Sequence, residues 1–230
     1  HSMVKQIAGF TSRGVIWYQG ESDSQKADIY HILFSSVIAC WREEWKDAMP
    51  FLFVQLAPFE RWRELTGENF PVIRQSQEWV SKHVPDAHMI SIMDAGMKND
   101  IHPKNKRPVG ERLALLARGK VYGEDILCEA PELSEISLAE GDIALRFAHA
   151  GEGLHLVGDT VNALHLYIDR KETTEFAASV SSDLLHIQMH ELNDRSRIDV
   201  CFAWEPYCEV NLYNSAGIPA KPFRWTNRPA

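Results

Sequence analysis

The stretch Arg13-Gly-Val-Ile-Trp-Tyr-Gln-Gly-Glu-Ser-Asp23 decides how the rest of this chain is interpreted. Its first part, from Val15 to Tyr18, is β-branched and aromatic. It predicts a buried strand, because such side chains fit a pleated surface that is covered on both sides. The second part turns at Gly20, which tolerates backbone conformations closed to other residues, into a polar cluster. Open α/β sheets bind ligands at the carboxyl ends of their strands, so this cluster is either a site or a polar turn.

Strand and helix patterns alternate after this stretch. Apolar residues at helical spacing predict an amphipathic helix whose aromatic side chains belong to the core. They are Ile29, Leu33, Val37, Cys40, Trp41 and Trp45. Further predicted elements are a strand at 51–56, a helix at 71–83 with Ile73, Gln77 and Val80 on one face, a strand at 88–93 and a helix at 108–122. This alternation is typical of the α/β class, with a parallel sheet and crossover helices.

The pattern changes near Pro131. From there, apolar and polar residues alternate between Gly, Asn and Asp turns, as in Ile143, Leu145 and Phe147. Short strands at this spacing predict a β-sandwich or a small antiparallel β unit. We therefore expect two domains, an α/β domain at residues 4–128 and a β-sandwich-like domain at residues 129–230.

Composition argues against several classes of function. A net charge of −8 over 230 residues is unlike the basic surface that binds nucleic acid. No apolar run approaches the ~20 residues of a membrane span. The cysteines include no Cys-x-x-Cys pair, which argues against a zinc or thioredoxin-like site. We expect Cys40 to be a buried thiol, whereas spacing alone cannot decide whether Cys201 and Cys208 pair across a hairpin. The first three residues resemble a cloning remnant and are set aside.

His102 lies in the polar segment Asn99-Asp-Ile-His-Pro103, just after a predicted strand. An imidazole exchanges protons near neutral pH and can activate a hydroxyl when a carboxylate orients it. A loop histidine can equally be a plain surface residue. The basic side chains that follow, Lys104, Lys106 and Arg107, are either solvated or contact a substrate that carries a carboxylate.

The segment Trp17-Tyr-Gln-Gly-Glu-Ser-Asp23 resembles the WYQGES motif of sialate O-acetylesterases, a branch of the SGNH-type serine hydrolases. Further segments of this chain resemble the same family in the same order. They are Trp41–Trp45 with Pro50–Leu56, Asn99–Lys106 with Val109–Ala114, and Asn211–Ala220 with Pro222–Arg224. The resemblance implies that residues 4–128 form a partial SGNH-type parallel sheet flanked by helices, followed by the antiparallel β unit.

The resemblance also implies roles for individual residues. It makes His102 the general base and assigns Gln19, Gly20 and Glu21 to oxyanion and substrate binding. The wider SGNH group has an aspartate three residues before the histidine, where this chain has Asn99. Asp100 is therefore the candidate acid, with Asp94 and Glu21 as alternatives. No cofactor or metal is expected, and we interpret His186 and His190 as structural because their strand-like setting lacks a zincin carboxylate.

The chain departs from the family at the nucleophile. The family carries its serine in a Gly-Gln-Ser-Asn block that is absent from these 230 residues, and Gly20-Glu-Ser22 is not a nucleophile elbow. Ser76 falls within a predicted helix. We therefore expect the C-terminal part of a longer esterase, inactive alone, whose partners are an O-acetylated sialic acid or related sugar and the missing N-terminal segment. The alternatives are an acetyl-xylan-type esterase and a non-catalytic glycan-binding or assembly module. Self-association and a periplasmic or secreted location are further expectations.

Overall fold

The computed structural model describes residues 3–139, 141–189 and 196–228. Its helices are α1 (Val4–Ile7), α2 (Tyr30–Trp45), α3 (Phe70–His83) and α4 (Arg107–Lys120), and a 3₁₀ segment spans Glu21–Ile29. The strands of the first half are β1 (Val15–Trp17), β2 (Phe51–Val54), β3 (Arg61–Trp62), β4 (Leu65–Thr66) and β5 (Ala87–Ile90). The remaining strands are β6 (Glu132–Ala139), β7 (Asp142–Ala148), β8 (His155–Leu156), β9 (Leu164–Ile168), β10 (Lys171–Thr173), β11 (Ala177–Ser181), β12 (Leu184–Gln188), β13 (Ile198–Phe202), β14 (Leu212–Tyr213) and β15 (Phe223–Thr226).

A parallel sheet forms the first half, in the order β1-β2-β5. Val15 pairs with Phe51, and Phe51 pairs with Ala87, so the three strands run in one direction and end at one edge. All four residues of β2 are buried, as expected for a central strand covered on both faces. The predicted α/β class, with a parallel sheet flanked by helices, is confirmed.

Strand β1 lies at one edge of this sheet within the described residues, and Ile16 is 68% exposed. The prediction of a buried strand covered on both sides was therefore wrong here, because an edge strand has a neighbour on one side only. An edge strand with an exposed apolar side chain can pair with another strand. Self-association therefore stays a prediction, and the exposed edge of β1 is the surface where it would occur.

The buried faces of the helices match the sequence analysis in part. Ile73, Gln77 and Val80 of α3 are buried, as predicted. For the helix predicted around α2 the prediction was wrong at three positions, because Leu33 and Cys40 of α2 are exposed, as is Ile29 at the end of the 3₁₀ segment. The helix instead buries Tyr30, Phe34 and Ile38. Its apolar residues cover more than one stripe, so periodicity alone did not decide which stripe faces the sheet.

Two four-stranded antiparallel sheets form most of the second half, in the orders β10-β9-β13-β15 and β11-β12-β7-β6. They share one apolar core, in which Leu145 and Ile187 of one sheet meet Leu166 and Val200 of the other. The predicted antiparallel β unit is thus confirmed, whereas the boundary at 128/129 stays a prediction. Cys201 and Cys208 are both free thiols, so the pairing that spacing left open does not form here. No helix in the described ranges has the length and apolarity needed to cross a bilayer.

Buried polar contacts join α3 to the loop after β13. The fully buried guanidinium of Arg74 donates hydrogen bonds to the backbone oxygens of Ala203 at 3.2 Å, Glu205 at 3.0 Å and Pro206 at 2.8 Å. Burial lowers the pKa of Arg74 to about 10, so the group remains charged near neutral pH.

The same loop carries an ionic contact with β9. The imidazole of His165 contacts Glu172 through Nδ1 at 2.6 Å and Glu205 through Nε2 at 2.5 Å. Burial alone would lower the pKa of His165, but these two carboxylates outweigh it and raise the pKa above its usual value. Protonated His165 therefore ties the loop to the neighbouring strands.

Candidate active site

The segments that follow β1, β2 and β5 meet at the carboxyl edge of the parallel sheet. The Nζ atom of Lys106, from the segment after β5, lies 4.6 Å from the ring centroid of Tyr18, which directly follows β1. Ile101 packs in the same apolar cluster as Trp17, Tyr18 and Trp62. The two polar segments singled out from the sequence are therefore neighbours at the edge where open α/β sheets bind ligands.

The side chain of Gln19 is held in one orientation. Its Nε2 donates to Asp23 Oδ2 at 2.6 Å, and its Oε1 accepts from the Tyr30 hydroxyl at 3.1 Å. Its backbone oxygen also accepts from Gln77 Nε2 at 3.2 Å. Burial raises the pKa of Tyr30 far above its usual range, so this hydroxyl stays protonated and keeps donating. A primary amide carries two N–H donors, so one hydrogen of Gln19 remains for a ligand.

Gly20 and Glu21 shape the turn after β1. Gly20 has φ of 148°, and a Cβ there would lie 3.3 Å from the side chains of Ile73 and Leu56, so only glycine fits without strain. Glu21 starts the 3₁₀ segment. After burial, its charge is the second cause that raises the pKa of Tyr18. Its carboxylate is thus close to the ring on which Lys106 lies.

The imidazole of His102 is 77% exposed at the same edge. Its ring packs against Trp62 with 5.7 Å between centroids and an interplanar angle of 83°. Asp100 Oδ1 accepts the backbone N–H of His102 at 2.9 Å and lies 3.7 Å from Nδ1, which is too far for a hydrogen bond. Asp100 therefore caps the turn and places its carboxylate near the ring, but it does not form a hydrogen bond with the imidazole.

Asp94 and Arg107 are already engaged with other side chains. Both carboxylate oxygens of Asp94 accept from Arg112, at 2.6 and 2.7 Å. A bidentate pair of this kind neutralises the charge that a triad acid would use. Arg107 donates to Glu111 at 2.7 Å on the exposed surface of α4.

The indole of Trp62 packs against the imidazole of His102. It lies on a short hairpin of β3 and β4. The oxygen of Lys98 accepts from the backbone of Glu60 at 3.1 Å and of Arg61 at 3.2 Å, while Phe59 N–H donates to Pro206 at 2.8 Å. From the sequence, an aromatic residue on a loop after a strand can line a cleft or cover the edge of the core, and the contact with His102 favours the first role.

Three serines lie near the parallel sheet. Ser22 is exposed in the 3₁₀ segment. Ser76 is buried in α3 and donates to the oxygen of Ala27 at 3.0 Å. Ser91, directly after β5, is fully buried, and its hydroxyl has no hydrogen-bond partner among the described residues. None of these three hydroxyls forms a hydrogen bond with His102.

The described part of the chain contains no group of three or more His, Cys, Asp or Glu side chains placed to hold a metal ion. His186 Nδ1 lies 3.0 Å from Asp142 Oδ2, a local contact between β12 and β7. His190, the other member of the spaced pair, lies outside the described residues.

Several cavities lie away from His102. One of about 540 Å³ lies in the β unit beside Tyr213 and His155. Another, of about 250 Å³, lies where the segment after β5 meets the β unit, beside Asp94, Gly96 and Tyr207. The imidazole of His102 is itself 77% exposed, so the candidate site is defined by its side chains and contacts rather than by a cavity.

Residues 1–117 match the sequence profile described as carbohydrate esterase, sialic acid-specific acetylesterase. Sialate O-acetylesterase from Homo sapiens is 29% identical over 262 aligned residues, covering 97% of this chain and 47% of that protein. The enzyme of the same name from Mus musculus is 30% identical, covering 66% of this chain and 31% of its own length. The chain thus spans about half the length, or less, of these curated relatives.

A solved structure agrees with these matches. The crystal structure of a carbohydrate acetylesterase from Xanthomonas citri superposes with a TM-score of 0.81 at 31% identity. The alignment covers 96% of this chain and 52% of that one, so it includes both the parallel sheet and the antiparallel unit.

Proposed function

The chain belongs to the carbohydrate esterase family of sialic acid-specific acetylesterases, and we propose that it supplies the histidine and oxyanion side of a serine esterase. The substrate class is an O-acetylated sialic acid or a related acetylated sugar. The observation that carries this proposal is the meeting of the Gln19 turn and the His102 loop at one edge of the sheet.

In the proposed reaction, His102 accepts the proton of a serine hydroxyl while its oxygen attacks the acetyl carbonyl. The carbonyl oxygen becomes an oxyanion that accepts a hydrogen bond from the remaining N–H of Gln19. The intermediate collapses as the histidine returns the proton to the departing sugar oxygen. Water then attacks the acetyl-serine by the same route and releases acetate.

The contacts of Gln19 support its role as the oxyanion donor. Asp23 and Tyr30 fix the amide before any substrate arrives. A donor held in place costs no reorganisation during the reaction, and removing one such donor typically reduces the rate about 10²–10³-fold.

We propose that the attacking serine comes from polypeptide outside these 230 residues. The chain has no Gly-Gln-Ser-Asn block. The buried hydroxyls of Ser76 and Ser91 are not presented to solvent. Large parts of the matched relatives have no counterpart in this chain, and those parts are where the family's serine block is expected.

The test compares the 230-residue chain with the protein made from the complete reading frame that encodes it. Acetate release is measured from 9-O-acetyl-N-acetylneuraminic acid and from acetylated xylan, and serine adducts are mapped by mass spectrometry after a serine-directed phosphonate. We expect no adduct on the short chain and hydrolysis that His102→Gln abolishes in the complete protein. An adduct on Ser22 would contradict the external serine, and full activity in His102→Gln would contradict the role of the histidine. If the complete protein is inert, the non-catalytic module is favoured.

A further inference from the structure

The hairpin that carries Trp62 places a cation beside the candidate base. Arg61 pairs with Thr66 and Trp62 with Leu65, so Arg63 and Glu64 form the turn. Arg63 has φ of 56°, a left-handed conformation that is uncommon outside glycine. The side chain of Arg63 is thereby directed back over the ring of its own neighbour, where its Cζ lies 4.8 Å from the Trp62 centroid.

Three other cations of this region are already paired with carboxylates. Lys98 contacts Glu60 at 3.2 Å, Arg107 contacts Glu111 at 2.7 Å and Arg112 contacts Asp94 at 2.6 Å. In contrast, no carboxylate among the described residues lies within ion-pair distance of Arg63. A guanidinium stacked on an aromatic face keeps the N–H groups at its rim free to donate.

The geometry also connects this cation to the chemistry. Trp62 contacts both the imidazole of His102, with 5.7 Å between ring centroids, and the guanidinium of Arg63, whose Cζ lies 4.8 Å from the Trp62 centroid. Because both groups contact the same indole, a sugar at His102 can reach Arg63. Planar guanidinium groups bind carboxylates through two parallel hydrogen bonds, a geometry that a lysine cannot reproduce.

We propose that Arg63, held on Trp62, binds the carboxylate of an acidic sugar and so makes this site selective for acidic over neutral acetylated sugars. The inference rests on the proposed function for the place of His102. It assigns carboxylate recognition to the hairpin, not to the start of α4, where sequence analysis had offered Arg107.

The test uses two ligands that differ only in charge, the α-methyl glycoside of N-acetylneuraminic acid and its carboxylate methyl ester. Dissociation constants are measured by calorimetry or NMR titration for the wild-type chain, Arg63→Gln, Arg63→Lys and the matched control Arg107→Gln. We expect Arg63→Gln to weaken binding of the acid about tenfold, the usual worth of a charge-assisted contact, and to leave the ester unchanged. Arg63→Lys restores part of the affinity, and Arg107→Gln behaves as wild type.

Several outcomes would overturn the inference. An equal loss of affinity for the acid and the ester in Arg63→Gln would mean that the arginine only supports the hairpin. If Arg63→Gln loses no affinity, or if wild type binds neither ligand, Arg63 has no role in recognition. A loss confined to Arg107→Gln would move recognition to α4. Because binding needs no serine, His102→Gln should keep the discrimination between acid and ester. If the proposed esterase function is wrong, acetate release will be absent, but the discrimination between acid and ester can still be observed.

Discussion

Substituting Gly67 by alanine tests how the hairpin beside His102 is held. Gly67 follows β4 and donates its N–H to the oxygen of Glu60 at 2.7 Å, which closes the base of the hairpin. A Cβ at this position would lie 1.9 Å from the backbone oxygen of Phe59 and 2.9 Å from its carbonyl carbon. Both atoms belong to the backbone, so no rotation of a side chain relieves the overlap.

The expected cost follows from these distances. Forcing an extra methyl group into a packed site typically costs about 1–3 kcal/mol. Displacing Phe59 also disturbs its hydrogen bond to Pro206 at 2.8 Å and the Gly67 bond to Glu60, each worth about 1 kcal/mol. We expect Gly67→Ala to lower the free energy of unfolding by about 2–4 kcal/mol, combining these terms.

Urea unfolding followed by far-ultraviolet circular dichroism measures this loss. Gly110→Ala is the matched control, because a Cβ there meets nothing within 4 Å and lies in α4. It should stabilise the protein by about 0.5–1 kcal/mol, the usual gain from replacing an exposed helical glycine. A Gly67→Ala protein within about 0.5 kcal/mol of wild type would refute the claim that the close approach fixes the hairpin, since surface substitutions commonly have effects of that size.

Substitutions at three further positions test other contacts. Arg74→Met removes the donor that joins α3 to the backbone oxygens of Ala203, Glu205 and Pro206. It should cost about 3–5 kcal/mol in urea unfolding, and a loss below about 1 kcal/mol would contradict a stabilising role of these contacts. The raised pKa of His165 gives stability that is complete below its usual value of 6.5 and is lost as pH rises through the raised value. The advantage of wild type over His165→Gln should therefore shrink as pH rises above 6.5, and a constant difference would oppose this reasoning. Asp100→Asn keeps an oxygen that can cap the turn, whereas Asp100→Ala does not. If the charge serves catalysis, acetate release by the complete protein falls in both variants, but if Asp100 only caps the turn, Asp100→Asn retains activity.

Much of the fold could be predicted from local pattern. The run from Val15 to Trp17 and the fully buried run from Phe51 to Val54 are strands because apolar and β-branched residues cluster there. The buried face of α3 could also be predicted, from the helical spacing of Ile73, Gln77 and Val80. The buried face of α2 could not, because this helix carries apolar residues on its exposed side as well. Which side is buried depends on the sheet it covers, and that information lies elsewhere in the chain.

The C-terminal stretch Asn211–Ala220, which resembles the family, makes contacts that stabilise the fold. Asn214 Nδ2 donates to the oxygens of Glu129 and His149, both at 2.9 Å, while its Oδ1 accepts from Ala216 at 3.1 Å and Ile218 at 3.0 Å. A nearly fully buried amide with all these partners folds the segment and does not meet substrate. The resemblance identified this stretch, whereas the structure shows that Asn211 and Asn214 bind backbone groups.

The candidate site depends on contacts that no local pattern reveals. Arg74 binds the oxygen of Pro206, which also accepts the N–H of Phe59 at the base of the hairpin, and Trp62 on that hairpin contacts His102. Each of these contacts joins segments that are far apart in sequence, so periodicity and motif spacing cannot predict it. The antiparallel half therefore contributes to the site without placing a side chain against the imidazole, because it holds the loop on which the hairpin rests. A change at Arg74 should accordingly disturb Trp62 before it disturbs Gln19, whose own partners lie on the 3₁₀ segment, α2 and α3.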